Sequence, residues 1–194
     1  GAVLNSYARF AVPAITPLFL NLTLIAGALV ASRWFAEPVF ALAWAELAGT
    51  YRVYGISGHR PPREVFPNAK AAANKAVELD DTLADAHYAL AIVYTWADWN
   101  WPAAEREFRR SIELNPGFAD AHIYYSHFLS IMRRPDEAMA EAKRALELDP
   151  FNGLFRALYG VDLGFVHQYD VAITEFNRAL TADPGSAFAL GNLF

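Results

Sequence analysis

The segment Ala119–Asn152 reads ADAHIYYSHFLSIMRRPDEAMAEAKRALELDPFN, and it decides the fold because the chain repeats it. The next stretch of equal length, from Gly153 to Ser186, realigns on it: Ala138 becomes Ala172, Ala145-Leu146 becomes Ala179-Leu180, and Pro150 becomes Pro184. Going backwards, Ala84–Phe118 fits with one extra residue near Trp99 to Trp101, placing Ala104, Phe108 and Pro116 in register. An earlier copy, Ala41–Leu83, fits with an insertion around Ile56 to Phe66, expected to be a loop stiffened by Pro61-Pro62. A fifth copy begins at Ala187. Each unit is expected to be two helices joined by a turn. The alanines mark close helix contact, Leu146, Leu148 and Leu180 the seam to the next unit, and the prolines the end of each second helix. One helical pair cannot bury its apolar face alone, so stacked pairs must share a continuous core.

This pattern resembles the tetratricopeptide repeat (TPR) family, a helix–turn–helix of about 34 residues with aromatic, small, Ala and Pro positions at fixed spacing. The resemblance implies an all-α, right-handed superhelix over 41–194, in which the first helices line a concave peptide-binding groove. Carried onto this sequence, the groove residues are Asp85, Tyr88, Ile92, Thr95 and Trp96, then Asp120, Ile123, His127, Ser130 and Ile131, then Leu154, Ala157, Val161 and Phe165. Such a lining suits an apolar or mildly basic peptide. Ala45, Gly49 and Ala89 stand where some family members carry Lys and Asn to clamp a C-terminal carboxylate, so that mode is not expected. The stretch from Pro61 to Pro116 is also similar to the TPR tails of large bacterial signalling proteins, although no catalytic or DNA-binding domain accompanies it.

Residues 1–40 differ from the rest. Phe10–Ser32 is a continuous uncharged run, and from Ala41 onward lie 14 of the 16 basic and 20 of the 21 acidic residues. Thr16-Pro17 has the form of an N-cap and first helical position. A helix over 17–35 would be roughly 28 Å long at about 1.5 Å per residue, with apolar side chains on every face. A membrane helix is the favoured expectation and a buried helix the alternative; no basic leader or cleavage site marks a signal peptide. Residues 1–48, through Leu4-Asn5-Ser6, Arg9-Phe10, Val12-Pro13-Ala14, Pro17, Leu20-Asn21 and Pro38-Val39, resemble a membrane segment of the MviN/MurJ-type lipid II flippases. A single span makes no transport path. The two resemblances overlap at Ala41–Ala48, ALAWAELA, and a natural fusion, an engineered join and a faulty gene model all remain open.

Composition narrows the function. There is no Cys, hence no disulfide framework or thiolate site. A net charge of −5 argues against nucleic acid. His122 and His127 lie about 140° apart on a helix and cannot share a metal as an i, i+4 pair does. His87 and His122 sit at equivalent places and are expected to pack; Glu78-Asp80-Asp81 and Glu147-Asp149 are expected to be solvated turns. Trp96, Trp99 and Trp101 crowd one turn, either as an exposed hot spot or packed on the neighbouring turn. No hydrolase, phosphate-loop or zinc-protease motif is present. The expectation is a noncatalytic scaffold without cofactor or metal, holding a protein or peptide in its groove. Residues 17–35 would tether it to a bacterial inner membrane with the repeats cytoplasmic, following Arg33 and Arg52 after the uncharged run; otherwise it would be cytoplasmic. The rivals are a fragment of a lipid II flippase-type transporter and the sensory tail of a signalling protein.

Overall fold

The computed structural model describes residues 38–56 and 61–192. The helix expected over 17–35 lies outside them. Among the described residues every element is helical, and no helix is long and apolar enough to cross a membrane. Contacts divide the chain into two compact units, Gly1–Val93 and Tyr94–Phe194.

In the first unit, α1 (Pro38–Ile56) and α2 (Pro62–Leu79) pair as a hairpin. Ala41, Ala45 and Ala48 repeat at helical spacing along α1, and α2 buries Val65, Ala69, Ala72, Ala73 and Ala76. Small side chains on both rods let the backbones approach closely. The segment shared by the two resemblances, 41–48, is thus one arm of this hairpin. Of the loop expected from Ile56 to Phe66, the part from Pro62 onward is helical. Pro61 is the N-cap and Pro62 the first residue of α2, so this pair opens a helix, where a missing N–H costs nothing. Helix α3 (Ala84–Trp96) carries the division between the units.

The second unit holds α4 (Trp101–Leu114), α5 (Ala119–Ile131), α6 (Pro135–Leu148), α7 (Gly153–Phe165), α8 (Tyr169–Ala182) and the short α9 (Ala187–Gly191). Second helices start at 101, 135 and 169, and first helices at 119, 153 and 187, so both series keep one constant period. The extra residue lies in the turn from α3 to α4, which runs from 97 to 100 where the later turns need three residues. The alanines behave as expected: Ala104, Ala138, Ala145 and Ala179 are fully buried and Ala172 almost so. An aromatic cluster fills the start of the unit, with Phe108 stacked on Tyr125 at 5.4 Å and tilted against Phe128 at 5.7 Å. Gly160 is needed by its neighbour. A Cβ there would stand 2.8 Å from Cε1 of Phe176, too close for any real contact.

Both kinds of turn recur. After α5 and α7, Arg133 and His167 adopt left-handed φ values of 57° and 61°. The Arg134 N–H then reaches the Leu129 carbonyl and the Gln168 N–H that of Leu163, while Arg133 and His167 donate to Ser130 and Gly164. This double bond pattern closes a helix end and usually employs glycine at the left-handed residue. Trp99 holds the same conformation, φ 55°, at the corresponding turn one repeat before Arg133. Between repeats, Asn115, Asp149 and Asp183 are C-caps in extended geometry, each before its proline. Asp80 does the same ahead of Asp81, without a proline.

Side-chain caps build the turns between repeats, Asp80 of the expected acidic turns among them. Asp80, Asn115 and Asp183 each accept the backbone N–H two residues on, at 2.9, 3.0 and 3.1 Å. The histidines also do more than pack. His87 Nε2 faces the Asp81 carbonyl, His122 Nε2 that of Pro116, and the Arg156 guanidinium that of Pro150, always six residues back. His122 Nδ1 meets Glu141, and Arg156 meets Glu175. At one position of successive repeats, a nitrogen-bearing side chain thus pins the preceding turn to its own first helix. A second polar network joins the repeats at Arg134, which spans Glu105 at 2.7 Å and Glu137 at 2.6 Å. Arg109 binds Glu105 and also donates to the Tyr125 hydroxyl. Burial pushes the Glu105 carboxyl up, but its bonds to Arg134 and Arg109 outweigh this and hold it below the usual carboxylate range.

Candidate peptide-docking face

The first helices carry the candidate site, and each unit contributes separately. In the first unit, Asp85 and Tyr88 are half-buried on α3, and Ile92 is buried. Burial raises the Asp85 carboxyl above its ordinary value.

In the second unit a strip of rings crosses successive first helices. Trp96, at the end of α3, lies parallel to His127 of α5 with centroids 6.4 Å apart and meets Tyr124 edge-on at 6.0 Å. His127 in turn touches Phe165 of α7 at 6.2 Å. Phe165 is 53% exposed, so the strip ends in an open phenyl face. Helical spacing explains the alignment: Tyr124 and His127 are three residues apart on α5 and share a face.

Behind the strip stands Asp162, wholly buried on α7. Ser126 Oγ donates to its Oδ2 at 2.6 Å, and His127 Nδ1 lies 3.0 Å from its Oδ1. The carboxylate therefore orients the imidazole as Asp does in a catalytic dyad, and leaves Nε2 as the ring's other polar atom. Serine, histidine and aspartate do meet here, yet both the hydroxyl and the ring address the carboxylate. No serine–histidine bond forms, so the arrangement lacks the base contact that a nucleophile requires. Among the described residues no group of His, Asp and Glu could hold a metal ion.

Beside Phe165 a cavity of about 430 Å³ opens at the turns that end α5 and α7, lined by Ser130, Arg133, Pro135, Phe165, Val166 and His167. Ser130 is 6% exposed. His167 accepts or donates through Nδ1 with the Tyr169 hydroxyl at 2.6 Å.

The expected lining thus separates into two sets. Ile92, Thr95, Ile123, Ser130 and Ala157 are buried; Ile123 packs with Ala142, Ala145, Phe155 and Leu158, and Ala157 with Leu163, Ala172 and Phe176. Trp96, Asp120, His127, Ile131 and Val161 are partly open, and Leu154 and Phe165 are exposed. Of the three tryptophans, Trp101 packs on Phe128 and Trp96 on His127, while Trp99 is 69% exposed and leans on Trp101. Tyr124, Asp162, Arg133 and His167 are not among the residues that sequence spacing selects. Asp162 does carry a signal, being the only carboxylate in the apolar stretch GLFRALYGVDLGF.

Comparison with known proteins agrees with the repeat. Residues 119–152 match the tetratricopeptide repeat family, the same bounds as the clearest unit of the sequence. Residues 1–51 match the family described as lipid II flippase MurJ. The MurJ flippase of Burkholderia cenocepacia is 45% identical over 47 residues, which are 24% of this chain and 9% of that protein. The chain therefore spans under a tenth of the flippase it matches. A thermophilic TPR protein of Thermus thermophilus superposes with a TM-score of 0.68 at 18% identity, over 89% of this chain and 86% of that one. YrrB, described as a TPR protein with an unusual peptide-binding site, gives 0.56 at 18% identity, over 99% and 97%. These likenesses show the fold: the chain is a helical repeat protein of the TPR type, with a MurJ-like N-terminal segment.

Proposed function

We propose that the chain is a noncatalytic adaptor that docks an extended or helical protein segment along the first helices of its repeats. The carrying observation is the ring strip Trp96–His127–Phe165, which crosses three first helices and stays open at Phe165. Rings held in place by their neighbours give up little rotamer freedom on binding, and such anchors dominate interface energies. Solenoids of this kind present extended concave surfaces to their partners, and YrrB, of the same architecture, is described as having a peptide-binding site. Of the expected groove residues in the second unit, Trp96, Asp120, His127, Ile131, Leu154, Val161 and Phe165 would meet the ligand; Thr95, Ile123 and Ala157, all buried, hold those in position. The test is affinity capture with the whole chain and with Phe165→Ser, comparing recovered proteins by mass spectrometry. A partner retained by the first and lost from the second, with helical content unchanged, supports the proposal. Identical recoveries sink it.

A second proposal rests on the match of residues 1–51 to the flippase family. In it, 17–35 anchors the adaptor in a bacterial inner membrane, with the repeats on the cytoplasmic side. Flotation of the whole chain with lipid vesicles supports this, and its recovery in the aqueous fraction speaks against it. A transport role would need further spans around a common path.

A further inference from the structure

We infer that the cavity at the ends of α5 and α7 is an acid-binding subsite of the docking face. It takes an internal Asp or Glu side chain of the bound segment, while apolar neighbours of that residue lie on Phe165 and the ring strip. The inference rests on the peptide-docking proposal and gives the ligand a charge that the sequence does not suggest.

Three residues with polar side chains line the cavity. Arg133 is exposed, lines it, and makes no ion pair among the described residues, whereas the adjacent Arg134 is engaged by both Glu105 and Glu137. Ser130, 6% exposed, lines it with its hydroxyl-bearing side chain. His167 lines it too, and when the Tyr169 hydroxyl donates to Nδ1 the ring proton sits on Nε2 as a further donor. A guanidinium, a hydroxyl and an imidazole N–H are donors suited to a carboxylate, and among the described residues no carboxylate lines the cavity. Phe165, Val166 and Pro135 supply the apolar wall. The cavity adjoins the strip at Phe165, so a chain running over His127 and Trp96 can pass it and drop one side chain in. That continuity favours an internal residue over a chain terminus.

The backbone sets where these side chains start. Arg133 and His167 both occupy the left-handed position of a helix-closing turn, where glycine would fit without cost. The left-handed residue recurs at three successive turns, Trp99, Arg133 and His167, and the last two supply side chains to this cavity.

The probe is a fluorescein-labelled, N-acetylated and C-amidated heptapeptide with one central glutamate among leucines and tyrosines. It is compared by anisotropy with its glutamine counterpart and with that counterpart bearing a free C-terminal carboxylate. The inference expects the glutamate peptide to bind roughly tenfold or more tighter than the amidated glutamine peptide, with the advantage shrinking as salt is raised. Arg133→Gly should abolish that advantage while raising the urea midpoint, since it also relieves the turn; a loss caused by damaged folding would lower it. Equal binding of glutamate and glutamine peptides overturns the subsite and leaves the docking face standing. A free-acid glutamine peptide matching the glutamate peptide overturns the assignment to an internal residue. If none of the three binds at millimolar concentration, the docking proposal falls as well.

Discussion

Gly160→Ala tests the packing of the repeats by the sign of its effect. Alanine normally stabilises a helix interior by about 0.5–1 kcal/mol over glycine. Here the new Cβ would stand 2.8 Å from Cε1 of Phe176 and 3.0 Å from Cδ1 and Cζ, against the 3.4–4 Å of ordinary contact. The ring belongs to a buried residue on α8 and cannot swing out into water, so overpacking costs about 1–3 kcal/mol. The difference predicts a net loss of roughly 0.5–2 kcal/mol. In a Phe176→Ala background, itself destabilised by about 3–5 kcal/mol, the obstacle is gone and the same substitution should stabilise. The preceding repeat shows the compatible arrangement, with Ser126 and Ala142 at the positions that correspond to Gly160 and Phe176. Urea unfolding followed by circular dichroism gives the four midpoints of the cycle. Reversal of sign between backgrounds supports the packing, and the same sign in both refutes it.

Other consequences are simpler. Ala145→Leu should cost about 1–3 kcal/mol, because a fully buried alanine at a helix–helix contact has no room for three more carbons; an unchanged midpoint would refute the repeat register. Arg133→Gly should raise stability by up to about 1–2 kcal/mol by relieving the left-handed residue, and a lowered midpoint would show that its side chain holds the turn together. Glu105 and Glu137 have carboxyls held below their unfolded values, Glu105 by Arg134 and Arg109 against burial, Glu137 by Arg134. Their contribution is fully present above the unfolded carboxylate value and is lost as pH falls through the lowered folded one. The double variant Glu105→Gln with Glu137→Gln should therefore flatten the acid limb of a stability–pH profile, and an unaltered limb would remove this network from the account.

The sequence and the structure agree where the physics is local. A constant period, alanines at helix contacts and prolines two residues past each second helix are short-range features, and they survive the stack. So does the extra residue at Trp99 to Trp101, which a turn absorbs without shifting the helices around it. What is not legible depends on neighbours far along the chain. His127 and Asp162 are 35 positions apart and meet because α5 and α7 lie side by side. Ile123 and Ala157 fall on the expected groove face by spacing, but the second helix of their own pair and the helix that follows it cover a wider arc than spacing alone suggests, and both are buried. The left-handed turns are hidden because RRPD carries no glycine to announce one. Pro61-Pro62 misleads for the opposite reason: proline marks both stiff loops and helix starts, and only the hairpin partner of α2 decides between them.

The most direct measurement is amide and side-chain chemical-shift mapping of the labelled chain against a captured partner segment. Perturbations centred on Trp96, Tyr124, His127, Phe165 and the Ser130–Arg133 turn are the predicted result. Perturbations confined to the solvent faces of α4, α6 and α8, with the ring strip silent, would contradict it.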